Sequence, residues 1–245
     1  MNAPSQHLRA FAFVVAAAVV AIPMAVPASG NCPEGMSRIN DSFCIDRYEA
    51  SLVEQAPDGT DRPWSPYHSP TRGVHLRAVS HRGVVPQAYI SEAQAERACA
   101  ASGKRLCSNR EWVGACSGPS RTQFPYGNAR QTGRCNENHA RHPVVQLFGH
   151  ARQYIWDGVH MNDPQINQLP GTLALTGAFS GCTNEFGVFD MVGNLHEWTN
   201  DSDGTFRGGY YMDTHLNGDG CQYATQAHDT TYHDYSTGFR CCADL

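Results

Sequence analysis

The stretch GVFDMVGNLHEW, residues 187–198, places one carboxylate at Asp190 and another at Glu197, on either side of a glycine turn at Gly193 and inside an apolar frame. Two acids around a tight turn can serve as an acid/base pair. They can also clamp a hard cation such as Ca2+, which takes about 6 to 8 oxygen ligands and draws backbone carbonyls from the turn. A solvated turn with two surface acids is the plainer alternative. Phe189 and Trp198, which read as core residues, weigh against it.

A second set of reactive side chains lies downstream. Asp213, His215, Asp219, His228 and His233 fall within one segment, and two histidines with a carboxylate suit iron or copper. Their spacing is irregular, and a histidine in a polar loop is more often solvated than a ligand. The same segment, Tyr210 to Tyr235, is crowded with Tyr, Asp, Asn, His and Thr. Rigid aromatics beside adaptable hydrogen-bonding groups suit a recognition surface. The chain has no G-x-S-x-G nucleophile elbow, no H-E-x-x-H, no Gly-rich phosphate loop and no dinucleotide fingerprint.

These groups must be held by a framework, and the cysteines indicate how. Ten are present, an even set that argues for disulfides in an oxidising compartment. Zinc fails on spacing, because no C-x-x-C occurs. Cys241 and Cys242 are neighbours in the chain. Adjacent Cα atoms lie about 3.8 Å apart, below the usual disulfide range of about 4.4 to 6.8 Å, so the two are expected to pair with different, distant partners.

Local patterning places a half-buried strand over FCIDRYEAS, residues 43–51, from its alternation of apolar and polar positions. Two helices follow. Ser91 with Gln94 forms a capping box, Ala95, Ala98 and Cys99 make the apolar stripe, and Gly103 marks the stop. Ser108 with Glu111 repeats the design, with Trp112, Ala115 and Cys116 on the stripe and Gly118 at the end. From Pro119 onward no further helix of ordinary length is expected; Gly, Asn, Asp and aromatic residues point to loops and short strands. The predicted class is α+β, two helices on an irregular, loop-rich β body, stabilised by disulfides.

The N-terminus predicts export. Arg9 precedes an uncharged run from Phe11 to Val26, interrupted by Pro23 and short of the roughly 20 apolar residues that span a bilayer. Val26-Pro27-Ala28 fits a signal-peptidase site, so residues 1–28 are expected to be a signal peptide and residues 29–245 one domain. The expected product is secreted or periplasmic, with no membrane segment after cleavage. The chain carries 18 basic and 23 acidic residues, a net charge of -5, without a basic cluster. Nucleic acid is therefore not an expected partner.

The segments FCIDRYEAS, GKRLCSNREWVGACSG, FPYGN, GVFDMVGNLHEWTND, RGGYY and GFRCCAD occur in the order found in the formylglycine-generating enzyme, or sulfatase-modifying factor, family, which the chain resembles from about Cys32 to Asp244. The resemblance implies a C-type-lectin-like fold. By similarity to the family's calcium loop, it implies that the side chains of Asp190 and Glu197 and the carbonyls of Gly193 and Leu195 bind calcium. A second family calcium site would take backbone ligands near Asn136 and Glu137. The resemblance also implies the disulfides Cys99–Cys241 and Cys116–Cys221. The remaining cysteines are assigned by elimination and proximity: Cys32–Cys44, Cys135–Cys182 and Cys107–Cys242. Cys107 stands where the family commonly has proline.

One departure bears on function. The family's oxidase chemistry uses two cysteines shortly after the R-G-G element to hold copper(I) and to exchange with a substrate cysteine, tasks that need thiolates. Here those positions fall on Asp213 and on or near Gly218, and no cysteine lies between Cys182 and Cys221. Formylglycine formation by that route is not expected, and neither copper nor iron is an expected cofactor. The expected function is a calcium-stabilised module that binds an extracellular or periplasmic protein, peptide or glycan. The alternative is a divergent metal-dependent oxidase acting on a peptide or secondary metabolite, with Asp213, His215, His228 and His233 as its candidate ligands.

Overall fold

The structure, a computed structural model, describes residues 31–149 and 154–245; the predicted signal peptide, residues 1–28, lies outside them. In chain order the elements begin with β1 (Met36–Ile39), β2 (Phe43–Asp46), β3 (Ser51–Gln55), β4 (Asp61–Pro63), β5 (Leu76–Val79), α1 (Glu92–Ala100), β6 (Arg105–Leu106) and α2 (Asn109–Ser117). They continue with α3 (Pro143–Phe148), β7 (His196–Trp198), β8 (Phe206–Arg207), β9 (Ala224–Thr225), β10 (Thr237–Phe239) and β11 (Cys241–Asp244). The strands form three small sheets, ordered β1-β2-β11-β6, β10-β7-β8-β9 and β4-β3-β5. The α+β arrangement is the expected one, with most of the described residues in loops.

Both predicted capping boxes form: Ser91 with Gln94 and Ser108 with Glu111 each exchange side-chain and backbone hydrogen bonds. Gly103, at φ 68°, closes α1. Its amide bonds the Ala100 carbonyl and the Lys104 amide reaches back to Cys99, the paired bonds of a helix ended by glycine. The stripes Ala95, Ala98, Cys99 and Trp112, Ala115, Cys116 are buried. Each helix therefore aims a cysteine inward.

One local expectation changes, and one short element is added. The strand predicted over 43–51 breaks after Phe43–Asp46, where all four positions are buried, bends, and resumes at Ser51 as β3. β2 lies between β1 and β11, so its polar residue needs partners inside: Asp46 accepts from Lys104 Nζ at 2.6 Å and from the Cys241 amide at 3.0 Å. The added element is α3, a helix of 6 residues with proline at its first turn and Gly149 at its C-cap, shorter than the ordinary length that the expectation concerned. Its β-branched Val144-Val145 hid the proline-to-glycine signature of a helix.

Five disulfides cross-link the body: Cys32–Cys44, Cys99–Cys241, Cys107–Cys242, Cys116–Cys221 and Cys135–Cys182. These are the pairs named above. Successive residues of a strand point to opposite faces, so within β11 Cys241 reaches α1 while Cys242 reaches Cys107. The C-terminal strand is thereby fastened on both faces.

Candidate functional site

The turn from Asp190 to Glu197 is deeply buried, and no reading as a solvated surface loop survives. Asp190 is 4% exposed and Glu197 1%. Asp190, Gly193 and Asn194 all take positive φ, at 58°, 77° and 60°. A Cβ on Gly193 would lie 2.2 Å from the Asn136 carbonyl oxygen, so only glycine fits there. The Asn194 side chain fastens the turn: it donates to Glu49 at 2.6 Å and accepts from Asn136 at 2.8 Å and from the Ala174 amide at 2.9 Å.

Around this turn gather three acids and one guanidinium. Glu197 accepts two bonds of 2.6 Å from Arg240, and the Trp112 indole donates to it at 2.7 Å. Arg240 also donates to the carbonyls of Asp46 and Phe189. Asp190 accepts from the Gly177 amide at 2.6 Å, and Glu49 from the Leu195 amide at 3.1 Å. Burial raises the Asp190 carboxyl to about 6. Burial, then the charges of Asp190 and Glu197, holds Glu49 well above the ordinary carboxylate range. Glu49 and Arg240 were not singled out from the sequence. Glu49 read as a polar position of an alternating strand, and Arg240 stood between Phe239 and Cys241 with nothing to mark it as an internal ion.

The three buried acids do not converge into a side-chain cage for a metal ion; the implied calcium set has two carboxylates, Asp190 and Glu197, and would draw its remaining oxygens from backbone carbonyls. In oxygen availability, Glu197 is already committed to Arg240 and Trp112, so it would share its carboxylate between them and an ion. At the second implied site, the Asn136 carbonyl accepts the Asn194 amide. The Glu137 carboxylate pairs with Arg130 and accepts from Thr214 at 2.6 Å, while its other oxygen is buried and unpartnered.

The segment after Arg207-Gly208-Gly209 is a tight structural turn. A Cβ on Gly209 would stand 2.2 Å from the Asp213 carbonyl, and Tyr210 and Asp213 exchange backbone bonds of 2.8 and 2.9 Å. One Asp213 oxygen accepts the amides of His215 and Leu216, at 3.0 and 3.1 Å; the other accepts the Tyr223 hydroxyl at 2.9 Å. Asp213 thus caps its own loop. Gly218, at φ 105°, is exposed.

The expectation of an aromatic recognition surface over Tyr210–Tyr235 is corrected. Tyr211, Tyr223 and Tyr235 are core residues, at most 2% exposed, because the loop folds its rings onto Leu195, Val144 and Ile166 and around His196. The longest exposed run of the loop is residues 215–219, with Leu216 at 76%; Gln222, Gln226, Ala227, Asp229 and Thr231 are exposed as well, and none of them is aromatic. The alternative metal set is also not assembled. His215 lies 3.1 Å from Asp213, but His228 stacks on Tyr232 and His233 bonds Asn162. Among the described residues, no three His, Cys, Asp or Glu side chains gather to hold a metal ion. No cysteine is free.

Residues 22–245 match the family described as sulfatase-modifying factor enzyme 1-like domain. The chain is similar to the formylglycine-generating enzyme of Mus musculus, 28% identical over 175 residues, covering 67% of this chain and 41% of that protein. It is also similar to inactive C-alpha-formylglycine-generating enzyme 2 of Bos taurus, 31% identical over 115 residues, covering 46% of this chain and 32% of that one. The chain thus spans less than half the length of these relatives. Among solved structures, PvdO from Pseudomonas aeruginosa aligns with a TM-score of 0.48 and 16% identity, covering 83% of this chain and 80% of that one. The Major Tropism Determinant U1 variant aligns with a TM-score of 0.47 and 16% identity, covering 88% and 54%.

Proposed function

The chain belongs to the sulfatase-modifying factor enzyme 1-like domain family, and from that premise we propose that it is a thiol-free member that recognises an extracellular or periplasmic ligand instead of oxidising a cysteine. The observation that carries the reading is that all ten cysteines are consumed in disulfides. Thiol exchange with a substrate needs a thiolate. At the two positions where the family resemblance expects cysteines stand Asp213, whose oxygens cap a turn, and Gly218.

The same turn is the proposed contact surface. Arg130 bonds the Thr214 carbonyl at 3.0 Å and Asp219 at 2.7 Å. Together with the Asp213 cap it holds Leu216 and Asn217 outward on a fixed backbone, and preorganisation lowers the entropic cost of binding. Calcium belongs to this proposal as a structural ion. Asp190, Glu197 and the carbonyls of Gly193 and Leu195 would hold it, and it would neutralise the buried negative excess.

The five disulfides fit an oxidising compartment, and no described helix is long and apolar enough to cross a membrane. Secretion or periplasmic residence is part of the proposal. The oxidase alternative lacks an assembled side-chain set, because His228 and His233 are engaged elsewhere. The test is thiol titration of the exported protein in denaturant without reductant. The proposal expects no reactive thiol; a reproducible pair of thiols would overturn it.

A further inference from the structure

A cleft of about 780 Å3 opens between α1, strands β3 and β5, and the segment 70–75 that precedes β5. Its wall is built by Gln94, whose amide holds the Pro70 carbonyl at 2.9 Å and Ser69 at 3.1 Å. The cleft lies outside the buried acid cluster, and nothing in the proposed function uses it.

Its lining has an unusual charge for this chain. Arg72, His75, Arg77, Arg97 and His233 face it, and no Asp or Glu does, although the chain as a whole carries a charge of -5. Arg77 is paired with Asp61. Arg72 and Arg97 are exposed, and no described carboxylate pairs with either. Of the neighbouring acids, Asp229 is turned to Thr231, and Glu96 on α1 is exposed outside the lining. Between the arginines the cleft carries apolar surface from the half-buried Val74 and Leu76, with the core residues Leu52 and Ala98 beneath.

We propose that this cleft binds a short acidic peptide segment, with carboxylates on Arg72 and Arg97 and an apolar side chain against Val74 and Leu76. Arginine forks match carboxylates, and a charge of the opposite sign to the rest of the surface steers such a ligand. A sulfated polysaccharide is disfavoured: it needs a long basic track, whereas here two unpaired arginines flank a partly apolar cleft on an acidic protein. The inference stands whether or not the domain has any oxidase activity.

The experiment probes the full exported protein against an array of hexapeptides that pair two carboxylates with one leucine, beside the same peptides with Gln and Asn. The acidic peptides are expected to bind, weaken with salt, and lose about tenfold or more in affinity to the Arg72→Glu/Arg97→Glu variant. Thermal unfolding of that variant, which changes only exposed residues, reports that the fold is intact. Failure of every acidic peptide to bind would overturn the proposal. So would equal binding by the folded variant, or tighter binding of a heparin-type oligosaccharide that the variant loses.

Discussion

Arg240 grips Glu197 through two hydrogen bonds of 2.6 Å while both side chains are essentially inaccessible to water, at 0% and 1% exposure. The pair joins the C-terminal segment to β7 where those strands run parallel. Removing one partner would leave an uncompensated buried charge. Arg240→Leu is therefore expected to lose about 3 to 5 kcal/mol, read from urea unfolding with the disulfides intact. A loss below about 1 kcal/mol, the range of surface ion pairs, would contradict the central role given to this pair.

On the proposal of a structural ion, calcium is expected to raise the unfolding temperature and chelation to lower it, because the ion would bind the folded protein alone. At a hundredfold excess over its dissociation constant the gain is about 2.7 kcal/mol. Asp190→Asn should shrink the difference between the calcium-loaded and chelated protein, by removing one ligand charge and one source of repulsion. An unfolding temperature that ignores both calcium and chelator would remove calcium from the account.

Glu92 gives a pH signature. It is 7% exposed, one of its carboxyl oxygens has no partner, and burial raises it from 4.5 to about 7. Across that window the folded chain keeps a proton that the unfolded chain releases, so its contribution to stability declines as pH rises through it. Glu92→Gln is expected to flatten this slope and to unfold at a higher temperature than the parent at pH about 8. A parallel pair of pH profiles would refute the assignment.

The Cys107–Cys242 disulfide closes a separation of 135 residues and fastens the second face of β11. The double replacement by serine is expected to cost about 2 to 5 kcal/mol, with Cys99–Cys241 still formed. Unchanged stability would mean that the first bridge alone holds the strand.

Much of the framework was legible in the chain. The capping boxes at Ser91 and Ser108 and the stripes ending in Cys99 and Cys116 depend on neighbours a turn away, and such local rules survive folding. Residues whose roles depend on distant partners were hidden. Glu49 becomes a buried acid only because Asn194 and Leu195 come to it across the fold. Arg240 becomes an internal cation only beside Glu197. The tyrosines of the C-terminal loop carry the composition of a binding surface, yet Tyr211 bonds Asn167 in the interior; composition does not say which way a loop turns its rings.

The absence of an exchangeable thiol is the claim on which the functional reading depends. Its most direct test is mass spectrometry of a sulfatase-type peptide, bearing one cysteine, incubated aerobically with the oxidised, copper-supplied protein. The account predicts that the cysteine keeps its mass apart from adventitious oxidation equal to that in a protein-free control. Protein-dependent conversion of that cysteine to the aldehyde would contradict it.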